Sequence, residues 1–435
     1  MGSRLPFALL LLALPGSAGL QAQNAPRSAP TPEQGSAAWR LWGGPNRNFL
    51  SPSTGLAESW PVAGPPVLWK RDLGEGYSAI AVDGDTLYTM YHRIQPYWLI
   101  FSEQQEVVVA LDARTGETQW EYPYKVTFRS AYADTGPGPH VMPQVVGNLV
   151  FTSGVTGMIH ALDKKTGQRV WQRDLYEEFG GTRMNFGYSS HALPYKDNLI
   201  VMAGGEGKAI LSLKQSSGEV VWARQSFRNA HSAPLLIDVD GEPQVAAVAA
   251  DRIIGVNPDN GELLWSFPHT TEYGLAISLP VWGEDNLLFF SSSYGHGSRV
   301  LRLTREGPKT RVEEVWYSNR VRVHFGSIVR AGDTVYASSG HDGPAPLTAV
   351  DVPTGKILWQ SREFAKASFV LAEGRLLVVD QEGHLGLATA TPEGLTVHAK
   401  VLMLSPNAWT LPTLAGTRMY VRDRKVMMAL DVGAK

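Results

Sequence analysis

Five stretches of the chain repeat one pattern: Leu or Val, a polar residue, three spacers, Gly, and Trp four residues after the Gly. They are LDARTGETQW (Leu111 to Trp120), LDKKTGQRVW (Leu162 to Trp171), LKQSSGEVVW (Leu213 to Trp222), VNPDNGELLW (Val256 to Trp265) and VDVPTGKILW (Val350 to Trp359). Two looser copies fill the gaps: Leu303 to Trp316 carries an insertion, and Leu387 with Gly394 has His398 in the place of Trp. A unit this short cannot bury an apolar face alone, so successive copies must pack on one another.

Each part of the pattern has a physical role. The apolar run before the Leu (VVVA, MIHA) reads as a β-strand, and the residues after the Gly read as its antiparallel partner. Asp112, Asp163 and Asp351 are placed to accept turn N–H groups, and the Gly tolerates the left-handed backbone such a turn needs. Trp69, Trp120, Trp171, Trp222, Trp265, Trp316 and Trp359 are expected to dock on the neighbouring repeat, a structural role ahead of a ligand-binding one. Upstream of the motifs lie second hairpins with a Gly-bearing turn, such as SAIAVDGDTLYTM (Ser78 to Met90) and SIVRAGDTVYAS (Ser327 to Ser338). Each repeat is then four short antiparallel strands, A to D, which is a propeller blade.

The strand-C residue recurs eight times, at Leu111, Leu162, Leu213, Val256, Leu303, Val350, Leu387 and Leu430. The last copy, MMALDVGAK, has no Trp, while Trp69 has no Leu-Asp turn before it. The N-terminal segment Val67 to Trp69 therefore supplies the missing fourth strand, with Leu68 beside Met428. Closing the ring this way removes free sheet edges. The expected fold is all-β: an eight-bladed β-propeller of four-stranded antiparallel blades over residues 39–435, knitted shut by its N- and C-terminal strands.

Residues 1–23 read as a signal peptide: Arg4, then an apolar run from Leu5 to Leu14, then small residues at Gly16, Ser17, Ala18 and Ala22. Ten apolar residues are too few for a bilayer core, which needs roughly 20. Residues 24–38, rich in Pro, Ala and Ser, read as a disordered leader. The chain has no cysteine, which excludes disulfides, thiolate metal sites and a lipid-bearing Cys. An exported, soluble, periplasmic or extracellular monomer with no membrane span after cleavage follows. The formal net charge of −2 argues against nucleic acid as a partner.

The A-L-D-x-x-T-G-x-x-x-W block resembles the repeat of pyrroloquinoline-quinone (PQQ)-type propellers. That family includes the quinoprotein alcohol dehydrogenases and the outer-membrane-protein assembly lipoprotein. The opening WRLWGGPNRNFLSP with GYSAIAVDGDTLY also resembles exported bacterial PQQ-like propellers. The resemblance covers Trp39 to the end and implies the fold; the scaffold hosts enzymes and non-enzymes alike. The dehydrogenases carry adjacent bonded cysteines beside the cofactor, and this chain has none. Their calcium ligands and catalytic Asp match no motif here, so no catalytic residue is carried over. The assembly lipoprotein carries a lipid-bearing Cys that is also missing.

Long connections Tyr91 to Gln105, Tyr124 to Pro139 and Tyr176 to Ser190 fall on the face holding B–C loops and D-to-A crossovers, the expected working face. Strand A is innermost, so the residues leading into it line the channel. Aligning the blades puts Tyr77, His140, His191, His231, Ile277, Phe325, Ala367 and Trp409 at one register. His140, His191 and His231 offer a possible metal set, polar ligand contacts, or merely structural imidazoles. Just ahead stand Arg129, Arg183, Arg228, Arg322, His324 and Lys366, with Glu75, Asp134 and Glu272 as the acids. Such a cluster suits an anionic small ligand, PQQ with Ca2+ among them, or lies solvated on the surface. Tyr188, Tyr273, Tyr294 and Trp409 are placed to stack on a planar ligand or to pack the blades. The glycines of MAGGEGK (Met202 to Lys208) sit in a B–C hairpin with no helix after them, so they are not a phosphate loop.

The functional expectation is a non-catalytic binding or assembly scaffold of the cell envelope, meeting an envelope protein on the long-connection face. The alternative is a PQQ-dependent dehydrogenase oxidising an alcohol or sugar-like substrate.

Overall fold

The computed structural model describes residues 1–2, 38–97, 101–130, 136–341, 343 and 345–434. Residues 3–37, which hold all but the ends of the expected signal peptide and leader, lie outside the described residues, as does Asp134.

The strands fall into eight antiparallel sheets, the blades of a propeller. Blade 1 runs from Ala81–Asp83 to Thr118–Lys125, blade 2 from Gln144–Val146 to Arg169–Asp174, and blade 3 from Leu193–Tyr195 to Val220–Arg224. Blade 4 runs from Leu235–Val239 to Leu263–Pro268, blade 5 from Val281–Trp282 to Lys309–Ser318, and blade 6 from Val323–Ala331 to Ile357–Ser361. Blade 7 spans Ala367–Ala372 to Gly394–Leu402. Blade 8 takes Thr413–Ala415, Arg418–Arg422 and Val426–Asp431 from the C-terminus and Val67–Asp72 from the N-terminal segment. The closing pair is antiparallel, Val67 opposite Leu430 and Trp69 opposite Ala429. Met428 faces Lys70 rather than Leu68, because Leu68 is squeezed out of the ladder.

That slip is general. In every blade the C–D ladder skips one residue just before the Trp register: Leu68, Gln119, Val170, Val221, Leu264, Val315, Leu358 and His398. A bulge sharpens the local twist and re-aims the side chain that follows it. In blade 7 the bulged residue is His398, so Ala399 occupies the Trp register, opposite Leu387. The copy assigned to His398 from spacing alone is thus one residue out, because the ladder of that hairpin runs on to Thr391 opposite Gly394 in place of the standard turn.

The re-aimed indoles meet the next blade. Trp69, Trp120, Trp171, Trp222, Trp316 and Trp359 each donate their Nε1–H to a carbonyl in the following C–D turn, at 2.7–3.1 Å. Trp265 instead donates to Gln244 of its own blade at 2.8 Å, since blade 5 replaces the standard turn with a longer hairpin. Beneath five of the rings lies the motif glycine. At Gly167 a Cβ would sit 2.5 Å from the Trp120 ring, on a backbone with φ of +71°. Gly167→Ala is therefore expected to cost about 2–4 kcal/mol, from a clash and a left-handed backbone together. Gly147→Ala, with φ of +57° and no neighbour within 4 Å, carries only the backbone strain, about 1 kcal/mol. Urea midpoints of the two variants measure the difference.

Two features depart from the repeat. Blade 1 gains a fifth, inner strand, Ala38–Trp39, paired to Ala81–Asp83. Its strands B and C run on as a two-stranded ribbon, Thr86–Tyr97 with Phe101–Asp112, so the described part of the expected long loop from Tyr91 to Gln105 is regular β-structure. After Trp39 the chain crosses the ring. Arg40 C=O accepts from Val145 of blade 2, and Phe49 and Ser51 bond Leu371 of blade 7. Between them the buried Arg47 guanidinium donates to Gln144 of blade 2 and to the carbonyls of Ala192 and Pro234, which lead into blades 3 and 4. Phe49 is buried in the core with Leu235, Leu279 and Phe369. This segment plugs the channel.

Candidate binding site at the channel mouth

Strand A is the innermost of each blade but blade 1, where Ala38–Trp39 lies inside it, so residues just before strand A crowd round the axis. Seven of the eight residues at the aligned register (Tyr77, His140, His191, His231, Ile277, Phe325 and Trp409) line a single cavity of about 340 Å3. Ala367, at the same register of blade 7, is too short to contribute, and Phe325 and Trp409 meet across it with ring centroids 5.5 Å apart. Ala233, Leu279 and Leu411 stand two residues further along the chain, just ahead of their strands, and Trp42 of the plug joins them in the lining. Trp42 lies flat on His191, with ring centroids 4.0 Å apart.

The imidazoles are held neutral by burial. Desolvation lowers His140 from 6.5 to about 4, His231 to about 3 and His324 to about 2, and drives His191 well down. Each has its own partner. His140 Nε2 lies 3.1 Å from Phe186 O, and His191 Nε2 accepts from Met142 N–H at 2.9 Å. His231 Nδ1 lies 2.6 Å from Ser189 Oγ. His324 sits between Tyr294 Oη, 2.6 Å away, and the Lys366 ammonium, 3.1 Å away. Lys366 also donates to His341 O at 2.6 Å.

His140, His191 and His231 do not form a metal set. Among the described residues only Asp380, Glu382 and His384 bring three such ligand atoms within 4.8 Å of one another. Equivalent positions on successive blades are fanned apart by the ring. The Asp380 carboxylate is itself occupied by the N–H groups of Ala365, Glu382 and His384, as a hairpin organiser.

The arginines do not converge on the cavity. Arg183 pairs with Glu177 at 2.6 Å in solvent, and Arg228 and Arg322 are exposed. Arg129 lines a second hollow of about 650 Å3 beside the ribbon, with Phe128, His92, Arg93, Ile94, Glu75, Arg424 and Lys425. Residues one or more positions ahead of the register stand on the crossover loops and turn outward. Of that group only His324 and Lys366 reach the lining. Tyr273 is exposed and meets Tyr294 edge-on, and Tyr188 is core, its hydroxyl donating to Met202 O at 2.9 Å. Glu75 pairs with Arg424 at 2.8 Å, and Glu272 is exposed. Trp42, Phe186 and His341 were not foreseen. Trp42 had a signal, an aromatic-rich opening that fits no blade; Phe186 and His341 lie in irregular connections with none.

A family model described as outer membrane protein assembly factor BamB matches residues 29–185 and 155–390. The chain belongs to that family. The BamB of Yersinia pestis is 24% identical over 339 residues, covering 74% of this chain and 82% of the relative. The crystal structure of BamB from Moraxella catarrhalis superposes with a TM-score of 0.57 at 16% identity, covering 84% of this chain and 99% of that one. The quinohemoprotein alcohol dehydrogenase of Comamonas testosteroni superposes with a TM-score of 0.61 at 13% identity, over 92% of this chain and 81% of that one. At these identities the structural likenesses show the propeller fold, shared by the BamB family and the quinoproteins.

The cavity suits PQQ with Ca2+ poorly. Its described lining holds no carboxylate or carboxamide side chain, while Ca2+ takes six to eight oxygen ligands. Among the described residues Lys366 is its one ammonium, and no arginine lines it to meet three carboxylates. No helix among the described residues is long and apolar enough to cross a membrane.

Proposed function

We propose that this protein is a non-catalytic scaffold of the bacterial cell envelope that assists the assembly of outer-membrane proteins by holding a protein partner on its long-connection face. The match to the BamB family over residues 29–390 carries the reading. The structure supports it with a suitable surface. Beyond its blade, the ribbon of blade 1 presents Arg93–Pro96 with ladder pairing on one side only among the described residues. Ile94 on that edge is 63% exposed. An open edge bearing an apolar side chain suits addition of an extended partner strand. The adjoining hollow carries Arg93, Arg129, Arg424 and Lys425 against Glu75, which favours a partner segment rich in acidic residues.

The experiment replaces residues 94–104 with Asn-Gly, a sequence suited to a two-residue hairpin turn, in cells otherwise lacking the protein. The shortened protein is expected to fold, with an unchanged urea midpoint, and to leave folded outer-membrane β-barrel proteins as low as in the deletion strain. Full restoration by the shortened protein would remove the ribbon from the partner surface. No drop in β-barrel proteins on deleting the gene would remove the assembly role itself.

A further inference from the structure

We propose that the open edge of the blade 1 ribbon and the hollow beside it capture the free C-terminus of an extended chain, which adds as a strand antiparallel to Thr86–Tyr97. This rests on the partner surface read above and narrows it. The edge comes first. The His92 N–H donates to Glu75 O at 2.6 Å, on the side of its strand away from Phe101–Asp112. Backbone groups alternate sides along a strand, so the N–H and C=O of Ile94 and the C=O of Pro96 face that same side. Pro96 has no N–H to leave unmet there, a placement suited to an edge. A strand entering from the ribbon tip therefore finds a short free edge and is then stopped. Residues 73–76 already fill the space between His92 and blade 8, with the Leu73 and Gly76 N–H groups donating to Lys425 O at 2.6 Å and Arg424 O at 3.1 Å. So short and blocked an edge suits a chain end better than a chain running through.

Charge decides which end fits. The hollow of about 650 Å3 opens where the strand stops, with Ile94 and Glu75 both in its lining. Arg129, Arg424 and Lys425 face it against Glu75, the one carboxylate of the described lining. Glu75 is shared between Arg424 at 2.8 Å and Lys425 at 3.5 Å, and Arg93 is held by Glu121 at 3.0 Å. Arg129 is exposed, so positive charge is left in excess. A terminal carboxylate is matched there, and an N-terminal ammonium is repelled. With its C-terminus in the hollow, the added chain runs from ribbon tip to root, opposite in direction to Thr86–Tyr97. Leu73, Ile94 and Phe128 offer its last side chain an apolar wall. Main-chain pairing with capture of a terminal carboxylate is a known way of reading peptide ends.

The probe is the peptide acetyl-Ser-Thr-Val-Thr-Leu with a free C-terminus, titrated calorimetrically into the purified full chain. Its C-terminal amide is one comparison; the other is an amidated peptide that carries an internal glutamate and continues past it. Saturable binding of the free acid at or below about 1 mM is expected, tighter than either amide by about fivefold or more. Arg129→Ala should weaken the free acid by about three- to tenfold and leave its amide unchanged. Ile94→Pro removes the outward N–H but spares the ladder to Phe101–Asp112, so it should weaken acid and amide alike with an unchanged urea midpoint. Absence of saturable binding, equal affinity for acid and amide, equal or tighter binding of the internal glutamate, or an acid affinity unmoved by Arg129→Ala would overturn the assignment. The assembly role is measured separately, by β-barrel protein levels in cells, so its failure and the failure of end capture give different results.

Discussion

Arg422→Ala is expected to destabilise the propeller by about 3–5 kcal/mol, among the largest effects of any single substitution. Arg422 ends the second strand of blade 8 and is fully buried. Its guanidinium donates to Met90 O at 2.8 Å, Gly74 O at 3.1 Å and Ser78 O at 3.2 Å, and reaches Thr89 Oγ1 and Asp423 O at 3.3 Å. Four of these acceptors belong to blade 1 or the segment leading into it, so one side chain spans the seam where the ring closes. Burial lowers the guanidinium pKa to about 10, which leaves it charged at neutral pH. Truncation would orphan several carbonyls at once and open a void beside them. Arg422→Lys should rescue little, because a single ammonium cannot reproduce a planar fork of five donors. Arg252→Ala, which breaks the solvent-exposed pair with Asp251, should change stability by less than about 1 kcal/mol. A urea midpoint for Arg422→Ala within error of Arg252→Ala would contradict this view of the seam.

The seam also shows where sequence reading reaches and where it stops. Blade number, strand order and the closing strand follow from repetition, because each motif is a local solution repeated with its turn chemistry intact. Asp112, for example, accepts from Arg114 and Thr115 N–H within its own turn. The register of channel-lining residues follows as well, since alignment of equivalent blades transfers position directly. What escapes is whatever occurs once. Nothing in the repeat marks Arg47 or Arg422, and only packing from several blades makes them structural. The ribbon was hidden because a strand running past its blade has the same alternation as a loop rich in Tyr, Ile and Gln. The outward turn of Arg183, Arg228 and Arg322 was hidden because spacing gives the register but not the direction in which a crossover loop presents its side chains. A bulge shifts a strand by one residue without changing composition, which is why Leu68 was placed beside Met428.

The second large effect is acid lability. The protein should lose its native fold between about pH 5 and pH 4. Six histidines are buried in a way that favours the neutral ring: desolvation lowers His140 to about 4, His160, His231 and His269 to about 3, His324 to about 2, and His191 well below 6.5. For each, the unfolded chain binds the proton more readily than the folded one. The stability they carry is fully present above 6.5 and is lost as pH falls toward the folded value. At pH 4.5 that is about 2–3 kcal/mol for each of His140, His160, His231, His269 and His324. Together these losses rival the roughly 5–15 kcal/mol of a typical native state. Glu106 opposes them, being buried against Tyr124 and the Val155 N–H, with its pKa raised to about 7. Its folded value lies above its unfolded one, so its share of stability is present below 4.5 and lost as pH rises through 7. One carboxyl gaining on acidification cannot offset six imidazoles losing. Near-UV circular dichroism against pH measures the transition, and a combined His231→Gln, His324→Gln variant should move its midpoint downward by removing two of the six contributions. Retention of the native spectrum at pH 4 would mean that these rings take up a proton within the fold, against the neutral, desolvated imidazoles described above.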